Sequence, residues 1–100
     1  KITMDYKISN SNLFLTDKWG NTGRRITDAV AYATFSDELK LFVITKLNGV
    51  VETRDVNGNF IRKIAENAVE ARYTGSEFNI RRKDGKNEKR DKVGNFIRLF

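Results

Sequence analysis

Arg24, Arg62 and Arg98 each stand three residues after the asparagine of a similar turn: Asp17-Lys18-Trp19-Gly20-Asn21, Asp55-Val56-Asn57-Gly58-Asn59 and Asp91-Lys92-Val93-Gly94-Asn95. A guanidinium is planar, always charged, and grips a carboxylate or phosphate with paired hydrogen bonds. Three of them at one fixed place could converge on such an anion. The structural alternative is an ion pair made three times over. By alternation, these arginines share a face with Phe60, Ile64, Phe96 and Phe100. An arginine on an apolar face needs a partner. Asp17, Asp55 and Asp91, or Glu52 and Glu88, are the carboxylates at hand.

A second group is the basic stretch Arg81, Arg82, Lys83, Lys86, Lys89, Arg90 and Lys92, with Asp84, Glu88 and Asp91 among them. It reads either as a charged edge that resists aggregation or as a phosphate-contacting patch. Nucleic-acid binders add stacking aromatics. The nearest, Tyr73 and Phe78, fit the inward period of a core. Residues 86–91 hold no apolar side chain, so they are solvated on both faces or lie in a wet interface. Trp19, at a turn tip, and Tyr32 are candidate anchors for a protein partner, because Trp and Tyr are favoured at interface hot spots. Packing of Trp19 over the neighbouring turn is the structural alternative.

Other chemistry is excluded by composition. The chain has no histidine and no cysteine. It therefore lacks the commonest general base, the commonest zinc ligands and any disulfide. Nothing in the spacing selects an acid–base pair for glycoside chemistry among 13 carboxylates. One Asp and one Asn per turn are too few oxygen ligands for a calcium loop. The expectation is a non-enzyme without metal or cofactor. No apolar run approaches the ~20 residues of a membrane span, and no secretory h-region is visible. The default is a cytoplasmic chain with no membrane partner. Net charge is +6, with the surplus in the second half, which favours acidic partners.

These groups must be positioned by strands. Met4, Tyr6 and Ile8 alternate with Asp5 and Lys7, and Phe78 and Ile80 with Glu77, Asn79 and Arg81. A period of two is a half-buried strand. Leu39 to Ile44 is nearly continuous apolar, as in a strand covered on both faces. Asn48-Gly49 and Asp84-Gly85 signal hairpins. In Asp-x-x-Gly the carboxylate accepts backbone N–H groups and Gly takes φ > 0. The stretch from Thr27 to Ala33 could pass for a capped helix. Its counterpart from Asn67 to Tyr73 has period two, so both are expected to be strands.

The turns lie 38 and 36 residues apart. Phe42, Ile44, Gly49, Glu52 and Arg54 recur as Phe78, Ile80, Gly85, Glu88 and Arg90. Ala29-Val30 matches Ala68-Val69, with three extra residues in the earlier copy. The expected fold is all-β: one domain, an antiparallel meander of about three blade-like units over 1–26, 27–64 and 65–100. The expected strands are 2–9, 13–17 and 22–26; 27–35, 39–46, 50–55 and 59–64; and 67–74, 76–83, 86–91 and 95–100. Four antiparallel strands per unit of this length resemble a blade of the NHL or WD type of β-propeller. The Gly-His and Trp-Asp signatures of WD repeats are missing, and Trp19 lies inside a turn. Closed propellers need at least four blades. With fewer than three units, either the chain is a fragment, or copies associate to finish a ring, or the strands form an open meander curled into a sandwich or barrel-like sheet; the apolar last strand from Asn95 to Phe100 favours self-association. The expected function is a non-catalytic binding or structural module for a protein partner. The alternative is a basic module that binds nucleic acid or another polyanion.

Overall fold

The computed structural model describes residues 4–100, which form eleven strands in three antiparallel sheets. The first sheet is β1 (Tyr6–Ser9), β2 (Asn12–Thr16) and β3 (Thr22–Thr27). The second is β4 (Val30–Ser36), β5 (Leu41–Lys46), β6 (Val51–Arg54) and β7 (Phe60–Ala65). The third is β8 (Ala68–Thr74), β9 (Glu77–Arg82), β10 (Asn87–Arg90) and β11 (Phe96–Leu99). Every strand pairs with its neighbour in sequence, and none of the sheets closes on itself. Residues 2 and 3 of the first expected strand lie outside the described part. Among the described residues no helix is long and apolar enough to cross a membrane.

The sheets pack face to face, so the second is covered on both sides. Leu13 and Ile26 meet Val30, Ala33, Phe42 and Ile44 in one core. Val43, Val51 and Ile64 meet Ala68, Ala71, Phe78 and Ile80 in the other. The continuous apolar run of β5 is thereby explained: Phe42 and Ile44 face one core, Val43 the other. Edge-on rings extend both cores, Tyr6 and Phe35 against Phe42 and Tyr73 against Phe78.

Two details differ from the sequence reading. β4 starts at Val30, not Thr27. Thr27 ends β3, and the chain turns at Ala29 with φ 51°. The residue with the same role in the third sheet is Asn67, φ 57°. The copies thus align Ala29 with Asn67, one residue earlier than expected. The register supports this, because Ala33 pairs with Ile44 and Ala71 with Ile80. The earlier copy has two extra residues, not three. They lie in the turn over 37–40, where the third sheet has only Gly75 and Ser76. Those two have φ 60° and 74°, the geometry of a two-residue hairpin.

The Asp-x-x-Gly-Asn turns have the same hydrogen bonds three times. Oδ1 of Asp17 accepts the N–H groups of Trp19 and Asn21, and Oδ2 accepts the Asn21 side-chain amide. Asp55 and Asp91 do the same with Asn57, Asn59, Val93 and Asn95. This is why Asn recurs with Asp and Gly. These bonds, foremost from the N–H of the Asn, hold all three carboxyl groups below the ordinary carboxylate range.

The later turns also join sheets. A Cβ on Gly58 would lie 3.0 Å from the Ile26 carbonyl oxygen of β3, and Gly94 lies in the same way against Lys63 and Ile64 of β7. A Cβ on Gly20 would meet nothing within 4 Å among the described residues. Gly20 and Gly58 have φ of 83° and 87°. Gly20→Ala should therefore cost only the left-handed strain, ~1–2 kcal/mol. Gly58→Ala should cost clearly more, because the methyl also meets a backbone oxygen. Equal losses in urea melts would remove the packing role.

A carboxyl group with a depressed folded pKa stabilises the fold above its unfolded value of about 4, and that contribution goes as pH falls through the folded value. Asp55→Asn should melt lower than the parent at neutral pH, with the gap narrowing below about pH 4. A gap of constant size across that range would show that the charge is irrelevant.

Candidate functional site

The last strands of the three sheets follow one another along one side of the stack, since the turn before β7 lies on β3 and the turn before β11 lies on β7. On this rim β3, β7 and β11 carry Arg24, Arg25, Arg62, Lys63 and Arg98 and no Asp or Glu. They also expose Phe60, Ile61, Phe96, Ile97 and Leu99, with Phe60 54% and Phe96 52% exposed. Apolar side chains of this size on unpaired edge strands are uncommon on a monomer surface.

The repeated arginines sit on this rim; the expected partners are corrected, and so is the face shared with Phe60 and Phe96, whereas Arg98 does share a face with Phe100. A register shift lies between Thr53 and Arg54. It pairs Phe60 with Arg54 and Arg62 with Thr53, which point to opposite faces. The shift between Lys89 and Arg90 does the same to Phe96 and Arg98. The arginines therefore do not share a face with Phe60 and Phe96. Nor do they pair with the expected carboxylates. Among the described residues no hydrogen bond or ion pair engages the guanidinium groups of Arg24, Arg62 and Arg98, and all three are exposed.

Glu52 and Glu88 are held instead by Arg54 and Arg90, two residues along the same strand. The Glu88–Arg90 bond is 2.6 Å, and Glu88 is only 4% exposed. Nη1 of each arginine donates to a turn carbonyl, Gly58 or Gly94, at 2.9 Å. Each guanidinium also lies 5.7 Å from a ring, Phe60 or Phe96. The sequence signal was present as Glu52-Thr53-Arg54 and Glu88-Lys89-Arg90, since residues two apart on a strand share a face. In the first sheet Phe14 and Thr16 stand where these pairs would be.

The basic stretch is split by the pleat. Arg81, Lys89 and Arg98 lie on the open face of the third sheet with Arg72 and Phe100. Lys89 is tied to Glu77 at 3.4 Å and Asn79 at 2.7 Å, with its ammonium 4.5 Å from the Phe100 ring. Arg82 and Arg90 face the second sheet. Lys83 lies over Gly49, while Lys86 and Lys92 are exposed on turns. β10 is thus solvated on one face and wet but covered on the other. Trp19 is 75% exposed, with Lys18 4.5 Å from its ring. Tyr32 is half-buried beneath Arg72, 5.4 Å away, and burial raises its hydroxyl pKa. Trp19 and Tyr32 are not brought together with the rim arginines into one pocket.

A cleft of about 540 Å³ opens beside the rim between the second and third sheets. Lys63, Glu66, Arg82, Glu88, Arg90 and Phe96 are among the residues that line it. The equivalent place between the first two sheets is bridged by Lys46. Its ammonium donates to Thr27 Oγ1 at 2.9 Å and to the Asp28 carbonyl. In the third sheet that lysine is Arg82, which turns to Asp84 at 2.9 Å. Ala65 replaces Thr27 and offers no hydroxyl. Glu66 replaces Asp28 and pairs with Lys63. The bridge that Lys46 makes at the first junction is thus not repeated at the second. Among the described residues no group of three or more acidic side chains is placed to hold a metal.

No protein-family model matches the chain, and no curated protein matches it. The site must be read from its own geometry.

Removing one partner of a buried ion pair leaves the other charge unpaired, at roughly 3–5 kcal/mol. Arg90 keeps some contact with water, so Glu88→Ala should fall near about 3 kcal/mol. A loss below about 1 kcal/mol in chemical denaturation, the level of an exposed pair, would show that the pair is not structural.

Proposed function

We propose that the chain is a non-catalytic binding module that engages an acidic protein partner along the rim of β3, β7 and β11. The observation that carries this reading is the rim itself: five cations and no carboxylate on three successive edge strands, Lys63 alone being paired, with Glu66 beyond its strand, and exposed Phe and Ile on β7 and β11. Cations alone would suit any polyanion. Large apolar side chains between them favour a polypeptide that alternates acidic and apolar residues, because a phosphate backbone gains little from Ile61 or Ile97.

Three consecutive meander sheets stacked in chain order support the propeller-like reading, with the stack left open. A ring would need another sheet to stack on the open face of the third. There Asn79, Arg81, Asn87 and Lys89 take the positions that Val43, Thr45, Val51 and Thr53 hold on the second sheet. Covering that face would desolvate two cations. Polar outer faces of this kind belong to terminal units of stacked arrays.

A second reading rests on the same face. Arg72, Arg81, Lys89 and Arg98 with the ring of Phe100 could hold a single-stranded nucleic acid.

The test is binding to a copolymer of glutamate and tyrosine against polyphosphate, measured on the parent chain and on Arg24→Glu/Arg62→Glu/Arg98→Glu. The copolymer should bind more tightly than polyphosphate. The triple variant, with an unchanged melt, should lose roughly tenfold or more. Preference for polyphosphate, with loss on Arg81→Glu, would move the function to the second reading.

A further inference from the structure

The cleft of about 540 Å³ between the second and third sheets falls within the roughly 300–1,000 Å³ of small-molecule sites. Three cations line it: Lys63 from β7, Arg82 from the end of β9 and Arg90 from the end of β10. Two carboxylates line it as well, Glu66 and Glu88, and lining cations already neutralise both. Glu88 is buried and accepts from Nε of Arg90. Glu66 accepts from Lys63, and that bond, with Arg90 adding to the pull, holds its carboxyl below the ordinary range.

Donors remain on both arginines. Nε and Nη1 of Arg90 go to Glu88 and the Gly94 carbonyl, so among the described residues its Nη2 has no acceptor. Arg82 meets Asp84 at 2.9 Å, yet among the described residues its guanidinium donates no well-aligned hydrogen bond. A guanidinium carries five N–H groups in a rigid fork, so Arg82 can keep its ion pair and still donate to another acceptor. The Arg82–Asp84 pair is itself partly exposed, and pairs of that kind hold weakly. At the first junction the matching place is taken by the chain's own cation, the Lys46 ammonium on Thr27 and the Asp28 carbonyl. Arg82 stands in that place at the second junction without crossing the seam. Phe96 adds an apolar surface. Its half-exposed ring lines the same cleft and lies 5.7 Å from the Arg90 guanidinium.

We propose that this cleft is a binding site for a small organic oxyanion, a phosphate monoester or a carboxylate, held between Arg82 and Arg90 with its organic group against Phe96. Two guanidiniums offer such an oxyanion paired, charge-assisted hydrogen bonds. The site shares Lys63 with the rim but uses none of Arg24, Arg62 and Arg98, so it stands or falls apart from the rim reading.

The probes are phenyl phosphate and benzoate, titrated separately into the full chain at physiological salt and followed by amide NMR shifts. The expected result is a saturable shift over residues 63–67, 82–84 and 94–96, and the tighter probe identifies the oxyanion. Inorganic phosphate and acetate, which lack the ring, should bind more weakly. Arg82→Gln should weaken the tighter probe roughly tenfold. Asp84→Asn releases Arg82 and should tighten it by about threefold, a gain that a purely structural role for Arg82 would not produce. If neither probe saturates, or the shifts lie elsewhere, the site is wrong. Equal binding of the ringless anions also overturns it. Should Arg82→Gln fail to fold, Asp84→Asn decides alone, and binding no tighter than the parent's sinks the proposal.

Discussion

The structure depends on one carboxylate interaction made three times. In each Asp-x-x-Gly-Asn turn a single side chain gathers two backbone N–H groups and one amide. Those donors would otherwise need water. Because the carboxylate holds them, the turn is rigid enough to press against a neighbouring backbone without fraying. The second and third turns do press, through Gly58 and Gly94, on the last strand of the preceding sheet. One local device thus ends a hairpin, launches an edge strand and sets the spacing between sheets. At the first turn a Cβ on Gly20 would meet no described residue, and Trp19 is exposed there.

The two outer sheets and the middle one answer to different constraints. The middle sheet is covered on both faces, so β5 has to be apolar on both. The outer sheets are covered on one face only, and their sequences alternate accordingly. The two junctions are not equal either. Lys46 crosses the first and ties it to the connector, whereas Arg82 folds back on its own turn and leaves the second hollow. A lysine-to-arginine change accompanies the loss of the Thr27 hydroxyl, and the bridge across the first seam is not repeated at the second.

Most of the fold was legible in the sequence because the signals were local. Alternation located the strands, and Asp, Asn and Gly located the turns. What escaped was set by register. Whether Phe60 and Arg62 share a face depends on a bulge, and a bulge changes parity without changing composition. The Arg–Glu pairs were hidden for a related reason. The partners of the arginines after the turns depend on cross-strand register, whereas Arg54 and Arg90 pair with Glu52 and Glu88 by spacing alone. The connector at Ala29 was misplaced by one residue because alanine rarely takes φ > 0. The rim was beyond reach, since that β3, β7 and β11 lie side by side is a fact of sheet stacking that no single segment records.

The strand order also bears on how the chain reaches this state. Within each sheet every strand pairs with its sequence neighbours, so each sheet closes only short loops as it forms. The loop-closure entropy of forming each sheet is correspondingly small. The slow part is then not strand pairing but docking of preformed meanders. The middle sheet, needed by both cores, is the natural template on which the other two condense.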